Sequence, residues 1–442
     1  MNAINDTSSR QPTAPTTGTG RFHSFDALRG FALLLGVFFH AAESFCPDRY
    51  SWAIVDVNAL WIFEWFQHFC HAFRMELFFL IAGFFAHLLL HKRGARSFIA
   101  NRFKRIMLPL IVGWLVLYPV CTTIWIWGAS AGGRLDALGI PAEHQSLPVW
   151  QIAIGTITSR SFLTSSFNML HLWFLHHLIL IYSAVLVIRW VCVNAMGAKR
   201  YQRLTLKIDR FCERCVRSHW MGWMLPAATV PLLFLMKQWG VDTPNSTLFY
   251  APTLLLYGLC FIIGWAMHRQ TQLIESFSRG RRWKAALISG LGLSVVMYRF
   301  VAIHQAIFPG AEFGIISRTV YLSMYASAMW CMITGLIGAF HRFSNNMNPF
   351  WRYVADSSYF IYLSHLPVVV SIQILVAHWE MAAGIKYSLI CMVALSVLYA
   401  MYHLLVRNTW LGQWLNGKRY PNVAMASTPA ASGAVCAALD TR

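Results

Sequence analysis

Arg29 and His40 stand on one apolar stretch, FDALRGFALLLGVFFHAAESF, with ten residues between them. In an α-helix that separation makes three turns plus roughly 20°, so the two side chains share one face about 16 Å apart in height. Asp26, three residues before Arg29, is spaced for an ion pair with it, and Glu43, three after His40, is spaced to hold the imidazole in one tautomer. A histidine backed by a carboxylate is the base-and-orienter arrangement that draws a proton from an attacking hydroxyl. Between the two ends the face carries Leu33 and Gly36, and the small residue leaves a groove. The same spacing also suits a plainer arrangement, with Asp26 and Arg29 paired at the lipid headgroups and His40 a hydrogen-bonded core histidine.

Further polar residues interrupt other apolar runs. The segment HAFRMELFFLIAGFFAHLLLH carries His71, Arg74 and Glu76 at its start, and the basic run beyond it places Arg102 and Arg105 one turn apart. Such a pair can grip a phosphate or an anionic lipid, although a stop signal for membrane insertion needs no ligand at all. LHLWFLHH sets His171 beside Trp173, and SSYFIYLSHLP sets Tyr362 and His365 on one helix face. A tryptophan next to a polar group suits a sugar ring and also serves as an interface anchor, and a helix-face histidine is also an ordinary core residue.

The elements that must position these residues are transmembrane helices. With 57% hydrophobic and only 12% charged residues, the chain reads as an all-α polytopic membrane protein. Apolar runs long enough for roughly 30 Å of hydrocarbon lie at about 25 to 46, 60 to 90, 106 to 128, 169 to 194 and 220 to 238. Five more lie at about 248 to 268, 284 to 308, 315 to 340, 354 to 378 and 386 to 408, making ten expected spans. Prolines inside them, such as Pro109, Pro226 and Pro367, are tolerable where neighbouring helices satisfy the freed carbonyls.

Orientation follows from the basic residues, which favour the cytoplasmic side. Placing the N-terminus inside gathers 28 of the 36 Lys and Arg residues there, against seven of the 17 acids. The net charge of +19 is therefore one-sided rather than a nucleic-acid footprint. Both termini are expected in the cytoplasm, with disordered tails over 1–20 and 421–442. A cleaved leader would have to contain Asp26 and Arg29 and would end near Ala42, so the first run is read as a retained helix.

Cysteine chemistry offers little. Cys212, Cys215 and His219 supply three ligands where a zinc site wants four, so no metal is expected. Cys46, Cys70 and Cys121 fall near the outer side, where a disulfide is allowed but cannot be assigned.

In order and spacing, the motifs resemble the acyltransferase 3 family of integral-membrane O-acyltransferases. The first helix matches at Asp26, Leu28, Arg29, Gly30 and His40, the aromatic core of the next at Phe78, Phe79, Ala82 and Gly83, and the basic pair at Arg102 and Arg105. HAFRM, LHLWFL and YLSH are more particular and resemble the family's glucan-succinylating branch; Leu170 and Glu76 depart from it, standing where uncharged polar residues are expected.

The resemblance covers about 21 to 420 as one membrane domain in the bacterial inner membrane. It implies a cytosolic acyl-CoA donor, with succinyl-CoA expected, and a periplasmic glucan hydroxyl as acceptor, without a permanently bound cofactor. His40 would be the general base, oriented by Glu43, with Asp26, the partner of Arg29, also in the catalytic set. Arg29, Gly36, Arg102 and Arg105 would hold the donor, and Arg74, Glu76, His171, Trp173, Tyr362 and His365 the acyl group and acceptor. Acetyl transfer to another surface polysaccharide, an acyl-histidine relay, and a secondary transporter or flippase for a saccharide or anion stay open as alternatives.

Overall fold

The computed structural model describes residues 22–47, 51–159, 168–217, 221–238, 240–346 and 348–416. The tails expected over 1–20 and 421–442 lie outside them. Among the described residues the chain is all-helical, and its one extended pairing is an isolated bridge between Asn168 and Ser246. The helices are α1 (His23–Ala42), α2 (Trp61–His71), α3 (Arg74–Arg102), α4 (Leu108–Ala131), α5 (Val149–Thr158), α6 (Trp173–Met196), α7 (Ala198–Arg217) and α8 (Met221–Phe234). They continue as α9 (Ala251–Arg269), α10 (Gln272–Ser278), α11 (Arg282–Ile307), α12 (Ile315–Phe343), α13 (Pro349–Val376), α14 (Ala383–Met401) and α15 (Trp410–Asn416).

Among the described residues, eight helical stretches are long and apolar enough to cross a membrane. One of them, Trp61–Ala131, has 71 residues. Straight, it would be about 107 Å long, so it cannot be a single crossing. It breaks three times: between α2 and α3 at Ala72 and Phe73, inside α3 at Gly94 (φ 74°), and at a π-helical turn over Phe103–Met107. The run at 60 to 90 is thus two helices rather than one span. The division matters because it puts Arg74 at the first turn of α3, where its side chain reaches α1.

At 220 to 238 the described helix is α8, with 14 residues and two internal prolines, Pro226 and Pro231. Its length of about 21 Å is shorter than the roughly 30 Å hydrocarbon layer.

α1 is the structural axis of the site. Its Leu, Ala and Phe residues favour a helix, and Asp26 in the first turn complements the partial positive charge of the N-terminus. It packs along α13 and also touches α12, α14 and α3. The largest buried cluster lies around α3, α6, α9 and α12, with Phe25 of α1 stacked on Phe84 at 4.1 Å between ring centroids.

α3 and α9 approach almost backbone to backbone. A Cβ on Gly83 would fall on the Phe261 carbonyl, and one on Gly264 would fall on the Leu80 carbonyl. Without a water-driven force between apolar helices in lipid, such close small-residue packing is what holds a pair together. Gly264→Leu is therefore expected to cost about 1–3 kcal/mol or more through overpacking. The measurement is the thermal midpoint of the purified protein; a midpoint equal to wild type would show that the helices part at no cost.

Candidate active site

Where α1, α3, α4, α12 and α13 converge, they and the segments at 168–174 and 237–245 enclose a cavity of about 1100 Å³. On α1 its wall is Ala32, Leu33, Gly36, Phe39, His40 and Glu43, one face repeating at helical spacing. That face spans about 16 Å of helix. Of the residues expected to act, Gly36, His40, Glu43, Arg74, His171, Trp173, Tyr362 and His365 line this one cavity. Residues as far apart in sequence as Ala32 and Leu366 meet here.

His40 sits where α1 tightens into a 3₁₀ turn over Glu43–Phe45, and the Glu43 N–H bonds back to the His40 carbonyl. Three-residue spacing brings side chains towards eclipse in such a turn, and Glu43 lines the cavity together with His40. Gln373 of α13 supports this switch, its Nε2 donating to the carbonyls of His40 (2.8 Å) and Ala41 (3.1 Å). Its Oε1 accepts from Trp52 Nε1 at 3.0 Å, and the Trp52 ring lies parallel to His40, 5.8 Å between centroids. One amide thus fixes both the backbone of His40 and the indole against its ring.

The loop bearing Trp52 is itself clamped. Arg134 Nη2 donates to the carbonyls of Trp52 (3.1 Å) and Ala53 (3.2 Å), and Lys386 Nζ meets Asp56 Oδ1 at 2.5 Å with the two side chains 0% and 1% exposed. Breaking a buried pair strands a charge, so Lys386→Met is expected to destabilise by about 3–5 kcal/mol. Lys386→Met combined with Asp56→Leu should recover much of that. A thermal midpoint for the single variant no lower than for the double would contradict this account.

Arg74 is 8% exposed and lies over the Phe39 ring, 4.1 Å from Cζ to centroid. Its Nη1 would be 3.3 Å from a Cβ on Gly36, so the missing side chain on α1 makes room for the guanidinium. Cys70, Glu43, Glu76 and Tyr257 are its electrostatic neighbours, yet it forms no ion pair among the described residues. A buried cation with a cavity before it and no bound carboxylate can receive an anion. Glu76 is 0% exposed, accepts no hydrogen bond on either carboxylate oxygen among the described residues, and is not among the residues that line the cavity.

Across the cavity, Tyr362 donates its hydroxyl to the His171 carbonyl at 2.8 Å, tying α13 to the start of α6. His171 follows Leu170, the one non-glycine residue with positive φ (48°) among the described residues. Such a conformation persists only where the surroundings enforce it; here Asn168 Oδ1 accepts the Leu170 N–H at 2.8 Å. His365 lies 5.1 Å from both His40 and His171, ring centroid to centroid. Trp173 stacks on Tyr257 and lines the cavity beside Phe174.

The remaining expected residues lie away from the cavity. Arg29 pairs with Asp26 at 3.3 Å and leans over Phe85, about one turn below Leu33 on α1. Arg102 stacks between Phe98 and Tyr182, whereas Arg105 donates to the Leu415 carbonyl at 2.8 Å. Around the π turn that begins just after Arg102 the two guanidinium groups meet different partners, and Arg102 remains an electrostatic neighbour of Arg105.

Of the cysteines, Cys46, Cys70 and Cys121 are buried and form no disulfide. His219 lies outside the described residues, among which no group of three or more His, Cys, Asp or Glu side chains is placed to hold a metal ion.

Sequence reading passed over Trp52, Gln67 and Gln373. The last two had a signal: each is the one amide in its helix, and a polar group in a membrane segment needs a partner. Trp52 had none, being a loop tryptophan near an interface.

Residues 22–414 match the model of the acyltransferase 3 family, described as an acyltransferase domain. The proteins named Glucans biosynthesis protein C from Salmonella paratyphi B and from Salmonella heidelberg are each 31% identical over 91 residues, 21% of this chain and 23% of theirs. The chain thus matches less than a quarter of the length of those curated relatives. No solved structure matches. With the family model covering nearly all the described residues and the helices suited to crossing a bilayer, the chain belongs to the acyltransferase 3 family and is a membrane acyltransferase.

Proposed function

We propose that this protein moves a succinyl group from cytosolic succinyl-CoA to a hydroxyl of a periplasmic glucan, with His40 as general base. What carries the reading is one cavity that joins His40 to Arg74, a buried cation without an ion pair, and to His171, Trp173 and His365. The family supplies the acyl transfer, and the likeness to the Glucans biosynthesis protein C relatives supports a glucan acceptor.

In this scheme neutral His40 takes the proton of the sugar hydroxyl as its oxygen attacks the thioester carbonyl. The carbon–sulfur bond then breaks, and the imidazolium returns the proton to the departing thiolate. Glu43 orients the ring and stabilises its charged form, while Arg74 receives the free carboxylate of the succinyl group. Trp173 offers an aromatic wall to a glucosyl ring. The pantetheine arm runs along Leu33 and Gly36, with the nucleotide near Arg29, Arg102 and Arg105.

The scheme places the protein in the bacterial inner membrane, with 21–420 as one membrane domain and both termini cytoplasmic. Counting α3 and α4 separately and α8 as a short crossing gives ten spans. Incubating purified protein with succinyl-CoA, with and without glucan, tests the chemistry by released thiol and by the mass of the glucan. Glucan-dependent thiol release with a succinyl ester is expected. An intact thioester would remove the proposal and favour transport.

A further inference from the structure

Three buried side chains that line the cavity end in atoms that can only accept hydrogen bonds. His365 Nδ1 lies 2.7 Å from the Tyr362 carbonyl, and since a carbonyl only accepts, Nδ1 carries the hydrogen. In the neutral ring, Nε2 then holds a lone pair, and no described donor reaches it. His171 has the opposite tautomer: Nε2 donates to the Leu363 carbonyl at 3.1 Å, and Nδ1 is left without a donor. Gln67 donates its Nε2 to the Phe39 carbonyl, which leaves Oε1 in the same condition. The three residues are 4%, 9% and 1% exposed, and all three line the cavity.

Buried polar atoms are almost always paired. Three acceptors in one cavity call for a ligand that brings several donors. An acyl chain has none, and its carboxylate only accepts. The atoms therefore divide the cavity by chemistry, with an anion side at Arg74 and a hydroxyl side at His171, His365 and Gln67.

We propose that His171 Nδ1, His365 Nε2 and Gln67 Oε1 form a hydroxyl-binding subsite that selects an acceptor with adjacent hydroxyl groups, as on a sugar ring. The inference rests on the acyl-acceptor reading above. The reacting hydroxyl faces His40, and its neighbour donates to His365, whose ring is 5.1 Å from that of His40. The backbone carbonyls of α13 fix both histidine tautomers, so the subsite is set before the acceptor arrives.

The test uses the full chain in nanodiscs, titrated with a linear β-glucose oligosaccharide and with its counterpart lacking one of two adjacent hydroxyls. His365→Phe and His171→Phe keep a ring of similar size and remove the acceptor nitrogen. His365→Gln and His171→Asn return an acceptor oxygen near the lost Nε2 and Nδ1. Each Phe variant is expected to bind the oligosaccharide about tenfold more weakly, and each amide variant to recover most of the loss. Wild type should bind the deoxy sugar about tenfold more weakly than its parent, and His365→Phe should no longer tell them apart.

Phe variants that bind as wild type does, amide variants no better than Phe, or a wild type indifferent to the sugar would overturn the subsite. Failure of the transfer reading is separate: a wild type that binds the sugar through these atoms but moves no succinyl group onto it removes that reading and leaves the subsite in place.

Discussion

His40→Ala is expected to lower succinyl transfer by about 10²- to 10⁴-fold, the usual contribution of a positioned general base. The loss should appear in kcat and in kcat/KM together, because proton removal helps only in the transition state. Alanine also deletes the ring stacked on Trp52, so His40→Phe is the companion variant. Phenylalanine preserves an aromatic face for Trp52 but accepts no proton. Both variants should be inactive, and only the first should lose packing. An inserted, folded His40→Phe protein with wild-type turnover would exclude His40 as base.

The second large effect is on donor choice. Arg74→Met keeps an unbranched side chain over Phe39 but removes the charge. Charged hydrogen bonds contribute about 1.5–3 kcal/mol, so kcat/KM for succinyl-CoA should fall about 10- to 150-fold relative to that for acetyl-CoA. Gly36→Val should act in the same direction, because a Cβ there already crowds the Arg74 guanidinium. Competition between the two thioesters, read as the mass of the esterified glucan, measures the ratio directly. A ratio unchanged in both variants would show that Arg74 receives no acyl carboxylate.

The legible part of the site was the part on one helix. Leu33, Gly36 and His40 align on the cavity wall because an α-helix repeats every 3.6 residues, a property that needs no tertiary contact. The 3₁₀ turn at Glu43, which follows His40 at the end of α1, was not visible in the sequence. Arg74 was recognised as a polar residue in an apolar run but placed within a single long span; the break at Ala72 and Phe73 gives it a different position and α1 as a neighbour. Arg102 and Arg105 looked like a pair by spacing; the π turn between them, and the different partners that each guanidinium meets, were not visible in the sequence.

By itself the sequence determined a polytopic helical membrane protein, the polar face of α1 and the family. Each of these follows from composition, local periodicity or motif order along the chain. Only the tertiary structure decided that His40 meets His365, that Trp52 covers its ring under the hold of Gln373, and that Arg74 is buried without an ion pair. The His40–His365 and Trp52–Gln373 contacts, like the Gln373–His40 bond, join segments more than 300 residues apart, and they arise from helix packing. In lipid such packing is set by small residues and shape along whole interfaces, which no short stretch of sequence encodes.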